Sequence, residues 1–581
     1  MDRRTIWAIL IMMVIAVAPA LLLKKPPPRT TAGQRSADSA SAPAPAAAGD
    51  RASPDTVLPR PAPGPTHDSL AAVQGPAQPQ LQDTIRVTSP LYTYGISTRG
   101  ARLVQAEMAR YASMAAEESG QRAQLVPPGS DLLGLTVVRG RGQDPVDFST
   151  ADFTPSAPSL AVGGDSTLRL SATKDGVRLD LDYTFSPDDY RIRVSGRASD
   201  VGPNGGALLV GMGPTLANTE ANIEENHRDL AVVTKRDDTE RADLAGLDPG
   251  ERRSLSGPFT WAALKSKYFV TGLIVADTTG GGISGVTLTA PKVESPTSAE
   301  IRLNIPLPPS GAFNYLLYAG PMEYERLARL GHDFDDVNPY GWPGFRTIIR
   351  LFAVPVRWLL VWMHEHLHLA YGLVLIAFGI LVRIILWPLN QKAMRANMKL
   401  QEVQPLMKEI QDRYKSDPQK MQQEVFKLYK EYKVNPLGGC WPMLLPMPVL
   451  FALFFVFQNA IELRGTAFAW LPDLSRPDPL YIIPVLMGAS MYFLTKVGQM
   501  GMEPNPQMKM MLYMMPLMMT GMFLFFPSGL NLYYTVSNIA SIPQQWLLGR
   551  ERMKRTARAI VDVKTERPPP QPAAAKKRKK A

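Results

Sequence analysis

A chain of 581 residues with 63 Lys and Arg against 52 Asp and Glu, a net charge of +11, is long enough for several domains. Its single cysteine, Cys440, excludes an intrachain disulfide and any cysteine-built metal or redox centre, and no glycine-rich phosphate-cradling motif is present to hold a nucleotide. The basic residues crowd at ends and loops, a distribution that suits membrane orientation or contact with a polyanion.

Residues 1–23 hold an apolar run, Ile6 to Leu23, behind Met-Asp-Arg-Arg and read as an N-terminal transmembrane anchor. A cleaved signal peptide competes, since Ala18 and Ala20 resemble a small-residue cleavage site, but Pro19 and the continuation to Leu23 favour the anchor. Residues 24–83 are dominated by Pro, Ala, Ser and Gly, cannot bury enough apolar surface to fold, and are expected to form a linker. From 84 to 335 the pattern changes to short alternating runs such as VRLDLDYTF, YRIRVSGRA and EIRLNIPL, broken by Gly, Pro and Asp. Period-two alternation with closely spaced turn residues predicts an all-β sandwich domain. It contains no catalytic constellation, and carbohydrate or partner binding stays open.

Residues 340–366 place Arg346, Arg350 and Arg357 on one side of a helix, against Phe345, Ile348, Ile349, Phe352, Trp358, Leu359 and Trp362. This is the pattern of a helix lying in the membrane interface with arginines toward headgroups; the alternative is a helix packing two domains together. Leu369 to Leu389 is long enough to cross a bilayer, about twenty apolar residues at 1.5 Å rise matching a core of roughly 30 Å. Its one charge, Arg383, costs on the order of 2.5–3.5 kcal/mol in hydrocarbon, so it either snorkels toward Asn390 or meets a wet cavity. Residues 391–436 are too polar for lipid and predict two helices turning at Ser416-Asp417-Pro418. Further spans are expected near Pro442–Ile461, Leu480–Thr495, Met508–Phe526 and Leu530–Leu548, making six in all, five of them in a core at 367–550. Lysines and arginines are dense across 391–436 (Lys392, Arg395, Lys399, Lys408, Arg413, Lys415, Lys420, Lys427, Lys430, Lys433), whereas the loop after the third span has only Arg464 and Arg476. The positive-inside rule puts 391–436 in the cytoplasm, both termini with it, and the β domain outside. The basic tail, 551–581, agrees.

The last span carries Asn531, Tyr534, Asn538, Ser541 and Gln545 along one stripe. Such a stripe faces protein or water, because hydrocarbon offers it no partners. Helix–helix hydrogen bonding is one explanation; together with Arg383, a hydrated recess is the other. The fifth span holds Met508, Met510, Met511, Met514, Met515, Met518, Met519 and Met522, and unbranched methionines adapt to varied apolar surfaces, although plain lipid-facing packing uses them too. His364-Glu365-His366-Leu367-His368 matches the H-E-x-x-H pattern of zinc proteases. Asn435-Pro436-Leu437-Gly438-Gly439, however, lacks the aspartate that would complete an intramembrane protease site. The tail's lysines suit either ribosomal RNA or a solvated, topology-fixing role. A small-solute transporter would require an internal repeat that the chain lacks.

The runs LVRIILWPLNQKAMRANMKLQEVQPLMKEIQDRY, KLYKEYKVNPLGGCWPMLLPMPVLFALFFVF, ELRGTAFAWLPDLSRPDPLYIIPVLMG and FFPSGLNLYYTVSNIASIPQQW resemble the YidC/Oxa/Alb family of membrane protein insertases in its Gram-negative form. WAALKSKYF and YLLYAGPMEYERL look like that family's periplasmic domain. The resemblance implies a five-helix core around a hydrophilic groove open to cytoplasm and lipid and closed to the periplasm, in the bacterial inner membrane. Arg383, Asn531, Tyr534, Asn538 and Gln545 would line the groove. Met447, Leu450, Phe454, Met514, Met518, Met522 and Tyr533 would meet substrate helices. Gly379 stands where relatives often carry a hydroxyl residue, which lowers the groove's expected polarity. The implied partners are nascent membrane proteins, the Sec translocon with its accessory subunits, lipids and, through the tail, the ribosome. No cofactor, metal or covalent chemistry is implied.

Overall fold

The computed structural model describes residues 84–140, 145–275, 282–338, 340–341, 345–415, 417–432, 447–502 and 506–565. The expected N-terminal span, the linker, the Asn435–Cys440 run and the end of the basic tail lie outside them.

In the strand Val177–Phe185, the side chains of Val177, Leu179, Leu181, Tyr183 and Phe185 are buried while Arg178, Asp180, Asp182 and Thr184 point away from the core. Successive side chains of a strand leave on opposite faces, so the alternation fixes which face is inside. Leu181 stands opposite Leu170 of Ser166–Lys174 on one side and Gly196 of Arg191–Ala198 on the other, both antiparallel. These strands belong to a sheet of nine that continues through Ala312–Pro321, Phe269–Ile274, Trp261–Lys265 and Ala231–Lys235 to the edge strand Thr239–Asp243. A six-stranded sheet runs from Arg252–Phe259 through Ile283–Thr289, Glu300–Leu307, Gly206–Gly211 and Leu135–Val138 to Val146–Asp147. A five-stranded sheet contains Thr84–Thr88, which pairs in parallel with Ser159–Ala161.

One apolar core joins the sheets, with Tyr94, Tyr183, Phe185, Trp261, Phe269 and Phe334 fully buried. Phe334 seats against the sheet because position 272 is glycine; a Cβ there would stand 2.4 Å from the phenyl ring. Lys265 is buried as well, its Nζ donating to Asn338 Oδ1 at 3.3 Å, and burial pulls its pKa down to about 8.

Two short helices lie in this half, α1 (Ile223–Asp229) and α2 (Tyr324–Leu330), and α3 (Arg346–Leu367) follows. The expectation that the arginines of α3 face headgroups is corrected. Arg350 pairs with Asp335 at 2.6 Å and Asp336 at 3.0 Å, and Arg346 donates to the Thr239 carbonyl at 3.4 Å. Arg357 is buried against Glu462 with its guanidinium over the Tyr324 ring. These charges fasten α3 to protein, while Phe345, Ile348, Leu351, Trp358 and Trp362 stay exposed. Burial pushes the Asp335 carboxyl above its ordinary range, against the pull of Arg350.

The helical half continues with α4 (Tyr371–Glu402), α5 (Gln404–Arg413), α6 (Pro418–Glu431), α7 (Met447–Asn459), α8 (Ile482–Gly498), α9 (Pro506–Phe523) and α10 (Ser528–Thr565). The turn between α5 and α6 forms as its residues dictate: Asp417 accepts the Lys420 N–H at 3.0 Å and Pro418 occupies the first turn. Two described helices, Arg346–Leu367 and Tyr371–Gln391, are long and apolar enough to cross a bilayer, and Val449–Asn459 and Ile482–Gly498 are shorter apolar helices. α10 runs to Thr565, past the span end expected at Leu548. A second apolar core, including Val374, Phe378, Leu453, Phe457, Met487 and Leu530, holds α3, α4, α7, α8 and α10 together.

Candidate functional site

Arg383 sits on α4, thirteen residues into the helix, where α4 packs on α10. The approach is close because Gly379, one turn earlier, has no side chain; a Cβ there would lie 3.3 Å from Val536 and 3.6 Å from the Ser537 hydroxyl. The titratable neighbours of Arg383 are the neutral phenols of Tyr533 and Tyr534, and among the described residues no carboxylate forms an ion pair with it. Its Nε is buried without a hydrogen-bond partner, as are the Tyr534 hydroxyl and Asn531 Oδ1. Buried donors and acceptors are normally satisfied by protein or by ordered water, so three orphan polar atoms in neighbouring helices mark a place where water or a visiting polar group belongs.

The stripe on α10 divides. Asn531 donates from Nδ2 to the Phe523 carbonyl of α9 at 2.9 Å and leaves its oxygen unpaired. Asn538 instead donates to the Ser490 hydroxyl of α8 at 3.1 Å, and Gln545 stands against Gly498 of the same helix. Ser541 bonds back to the Ser537 carbonyl at 2.7 Å, within α10. Arg383 and Tyr534 thus come together, with Asn531 one turn before Tyr534 on α10, while Asn538 and Gln545 join α10 to α8 and Ser541 bonds within its own helix. Sequence reasoning missed Gln544, which donates to the Trp387 carbonyl of α4 at 3.0 Å. It also missed Ser490, whose role becomes readable only once α8 is placed beside α10.

Aromatic rings continue from this point across two more helices, α9 and α7. Phe378 lies 5.8 Å from Tyr533, Tyr533 5.5 Å from Tyr534, Tyr534 5.3 Å from Phe523, Phe523 4.9 Å from Phe526 and Phe526 5.5 Å from Phe454. Leu450, Phe454 and Met522 are half-buried, Tyr533 is buried, and Met514 and Met518 are exposed. Met447 begins α7; its side chain lies outside what is described. α9 therefore turns unbranched thioethers outward beside the aromatic row.

The H-E-x-x-H run does not make a metal site. His368 leaves the helix in a left-handed conformation, φ 53°, so it is not one helical turn above His364. His364 stacks on Tyr371 at 4.0 Å and His366 lies against Trp362 at 5.1 Å. Among the described residues no three His, Cys, Asp or Glu side chains converge.

The profile of the "60Kd inner membrane protein" family matches residues 362–556, and that of the "YidC periplasmic domain" matches residues 84–358. The membrane protein insertase YidC of Chlorobium phaeovibrioides is 32% identical over 517 residues, covering 84% of this chain and 87% of its own. The chain belongs to the YidC family of membrane protein insertases. The YidC insertase of Oleidesulfovibrio alaskensis is 31% identical over 523 residues, 84% of this chain and 94% of that one. A crystal structure of an active YidC insertase with its first transmembrane domain resolved aligns over 80% of this chain and 93% of that chain, at 17% identity and a TM-score of 0.33. Membership makes this chain a non-enzymatic insertase of the inner membrane that acts on nascent membrane proteins, and makes the stranded half its periplasmic domain. The zinc-protease and solute-transporter readings find no support in these relatives.

Proposed function

We propose that insertion runs through a hydrophilic groove whose polar centre is Arg383 with Tyr534 and Asn531. The observation that carries this reading is the unpaired Arg383 Nε beside two phenols, in a helix otherwise apolar enough to cross a bilayer. A cation there attracts an acidic or merely polar flank of a nascent chain, more strongly than in water because the walls are of low dielectric. The flank enters from the cytoplasmic side, guided by the α5–α6 hairpin. The following apolar segment slides along Leu450 and Phe454 of α7 and Met514, Met518 and Met522 of α9 into lipid. Burial of that segment, at about 25 cal/mol per Å² of apolar surface, supplies the driving force, and a shorter polar path through hydrocarbon lowers the barrier. Asn538 and Gln545 act by holding α8 against α10, and Met447 and Tyr533 complete the contact surface.

Six spans, with both termini in the cytoplasm and the stranded domain outside, are the topology this route requires. The Sec translocon and its accessory subunits would meet the periplasmic side, lipids the exposed aromatic face of α3, and ribosomal RNA the basic tail. Reconstitution tests the reading: purified protein in liposomes inserts a short membrane protein without nucleotide, and Arg383→Ala lowers insertion of substrates with charged translocated flanks about tenfold while sparing uncharged ones. Equal insertion of all such substrates by Arg383→Ala would refute the role given to that arginine.

A further inference from the structure

The segment between α7 and α8, residues 460–481, meets both halves of the molecule, as α3 does. Ala460 and Leu463 are buried in the helical core, and Ile461 between them is buried in the core of the stranded domain. Glu462 pairs with Arg357 of α3. Arg464 reaches the other way. Its Nε donates to both carboxylate oxygens of Glu220, at 2.8 and 3.1 Å, and its Nη1 and Nη2 donate to the carbonyls of Ala112 and Thr219, each at 2.8 Å. The guanidinium also lies 5.5 Å from the Phe269 ring, and the Arg464 and Glu220 side chains are only 4% and 9% exposed. A planar fork bound to a carboxylate and two fixed carbonyls has one orientation available.

The rest of the segment closes over helix ends. The Phe468 ring covers Gly372 of α4, where a Cβ would stand 2.1 Å away. The carbonyls of Arg476 and Leu474 accept the N–H groups of Ser528 and Gly529 at 2.7 and 2.9 Å, answering otherwise orphan donors at the start of α10. Asp478 does the same for α8 through Ile483 N–H, at 2.8 Å. Ser528 is wholly buried beneath the segment, its hydroxyl donating to the Asp473 carbonyl at 3.2 Å.

We propose that Arg464 is a positioning residue for insertion: anchored on Glu220, it holds residues 460–481 as a fixed lid over the outer ends of α4, α8 and α10. The lid keeps the groove shut toward the stranded domain while its inner part receives substrate. Its consequence for transport rests on the groove reading above; its geometry does not. Packing alone would hold a loop of this kind, whereas a buried ion pair adds an all-or-none fastening, because removing one partner strands the other charge in a dry site.

The test uses the full chain with its single cysteine removed by Cys440→Ser and a reporter, Ser528→Cys, placed under the lid. A membrane-impermeant maleimide is added from the side of the stranded domain, and Leu181→Cys in the β core serves as the unfolding control. With Arg464 present the reporter is expected to stay unlabelled. Arg464→Ala is expected to raise its labelling rate at least fivefold with Leu181→Cys still protected, and Arg464→Lys to give a smaller rise. Should Arg464→Ala fail to accumulate, Glu220→Gln gives the same readout. A rise below fivefold in Arg464→Ala, or in Glu220→Gln where that variant replaces it, free labelling with Arg464 in place, or equal labelling of Leu181→Cys would each overturn the proposal. Failure of the groove reading shows separately, as insertion indifferent to Arg383→Ala with the labelling result intact.

Discussion

The stranded domain and the surroundings of Arg383 treat buried charge differently. In the stranded domain Lys235 lies 3.4 Å from Asp336, Lys267 2.7 Å from Glu225 and Glu220 within 2.8 Å of Arg464. In the helical core Arg383 has two phenols for neighbours and an orphan Nε, and Met510, Met511, Met514 and Met518 of α9 face outward. The stranded domain meets most of its buried charges with carboxylates, the exception being Lys265, whose Nζ donates to Asn338 Oδ1 instead. A core with unmatched polar atoms inside and adaptable apolar side chains outside is complete only when water, lipid or a passing chain supplies the missing contacts.

The largest expected effect breaks the comparison on its rigid side. Leu181→Ala, on an interior strand of the nine-stranded sheet, should cost about 2–5 kcal/mol, because the sheets cannot collapse around the lost volume. It is read as a fall in the melting temperature of the detergent-purified chain, with substrate preference unchanged in whatever remains folded. The next effect has the opposite sign. Lys265 has a folded pKa of about 8 against 10.5 for the free side chain, so between those values the unfolded chain binds more protons and stability rises with pH. Below pH 8 the whole penalty is present, up to about 3 kcal/mol at about 1.36 kcal/mol per pKa unit. Lys265→Met should therefore raise the melting temperature at pH 7, with the gain shrinking as pH passes from 8 to 10.5. A gain independent of pH would assign it to packing instead.

The sequence read best where one local rule had no competitor. Alternation in VRLDLDYTF placed five side chains inside, and Asp417-Pro418 predicted the turn that forms between α5 and α6. It read less well where a residue's partner is remote in the chain. Arg346, Arg350 and Arg357 share a helix face that suits headgroups equally well, and only the folded chain brings Thr239, Asp336 and Glu462 to meet them. The stripe on α10 has the same ambiguity. Spacing puts Asn531, Tyr534 and Asn538 on one side, but a few tens of degrees around the helix separate a groove from a seam with α8. Arg464 and Glu220 are 244 residues apart, and nothing in either neighbourhood announces the other.

The smallest effect sharpens that last distinction. Asn538→Ala removes one interhelical hydrogen bond, worth about 0.6 kcal/mol and at most about 1.7 in membrane helices. It should lower the melting temperature slightly and reduce insertion of acidic-flanked and uncharged substrates by the same small factor. A preference for one class of flank would move Asn538 into the groove after all.

The account turns on the charge of residue 383, and inverting it is the most direct test. Purified Arg383→Glu in liposomes, given matched substrates whose translocated flanks are acidic or basic, should insert the acidic series several-fold less than the unaltered chain does and the basic series as well or better. Equal loss on both series, or no loss on either, would contradict an electrostatic role for that side chain in drawing the substrate in.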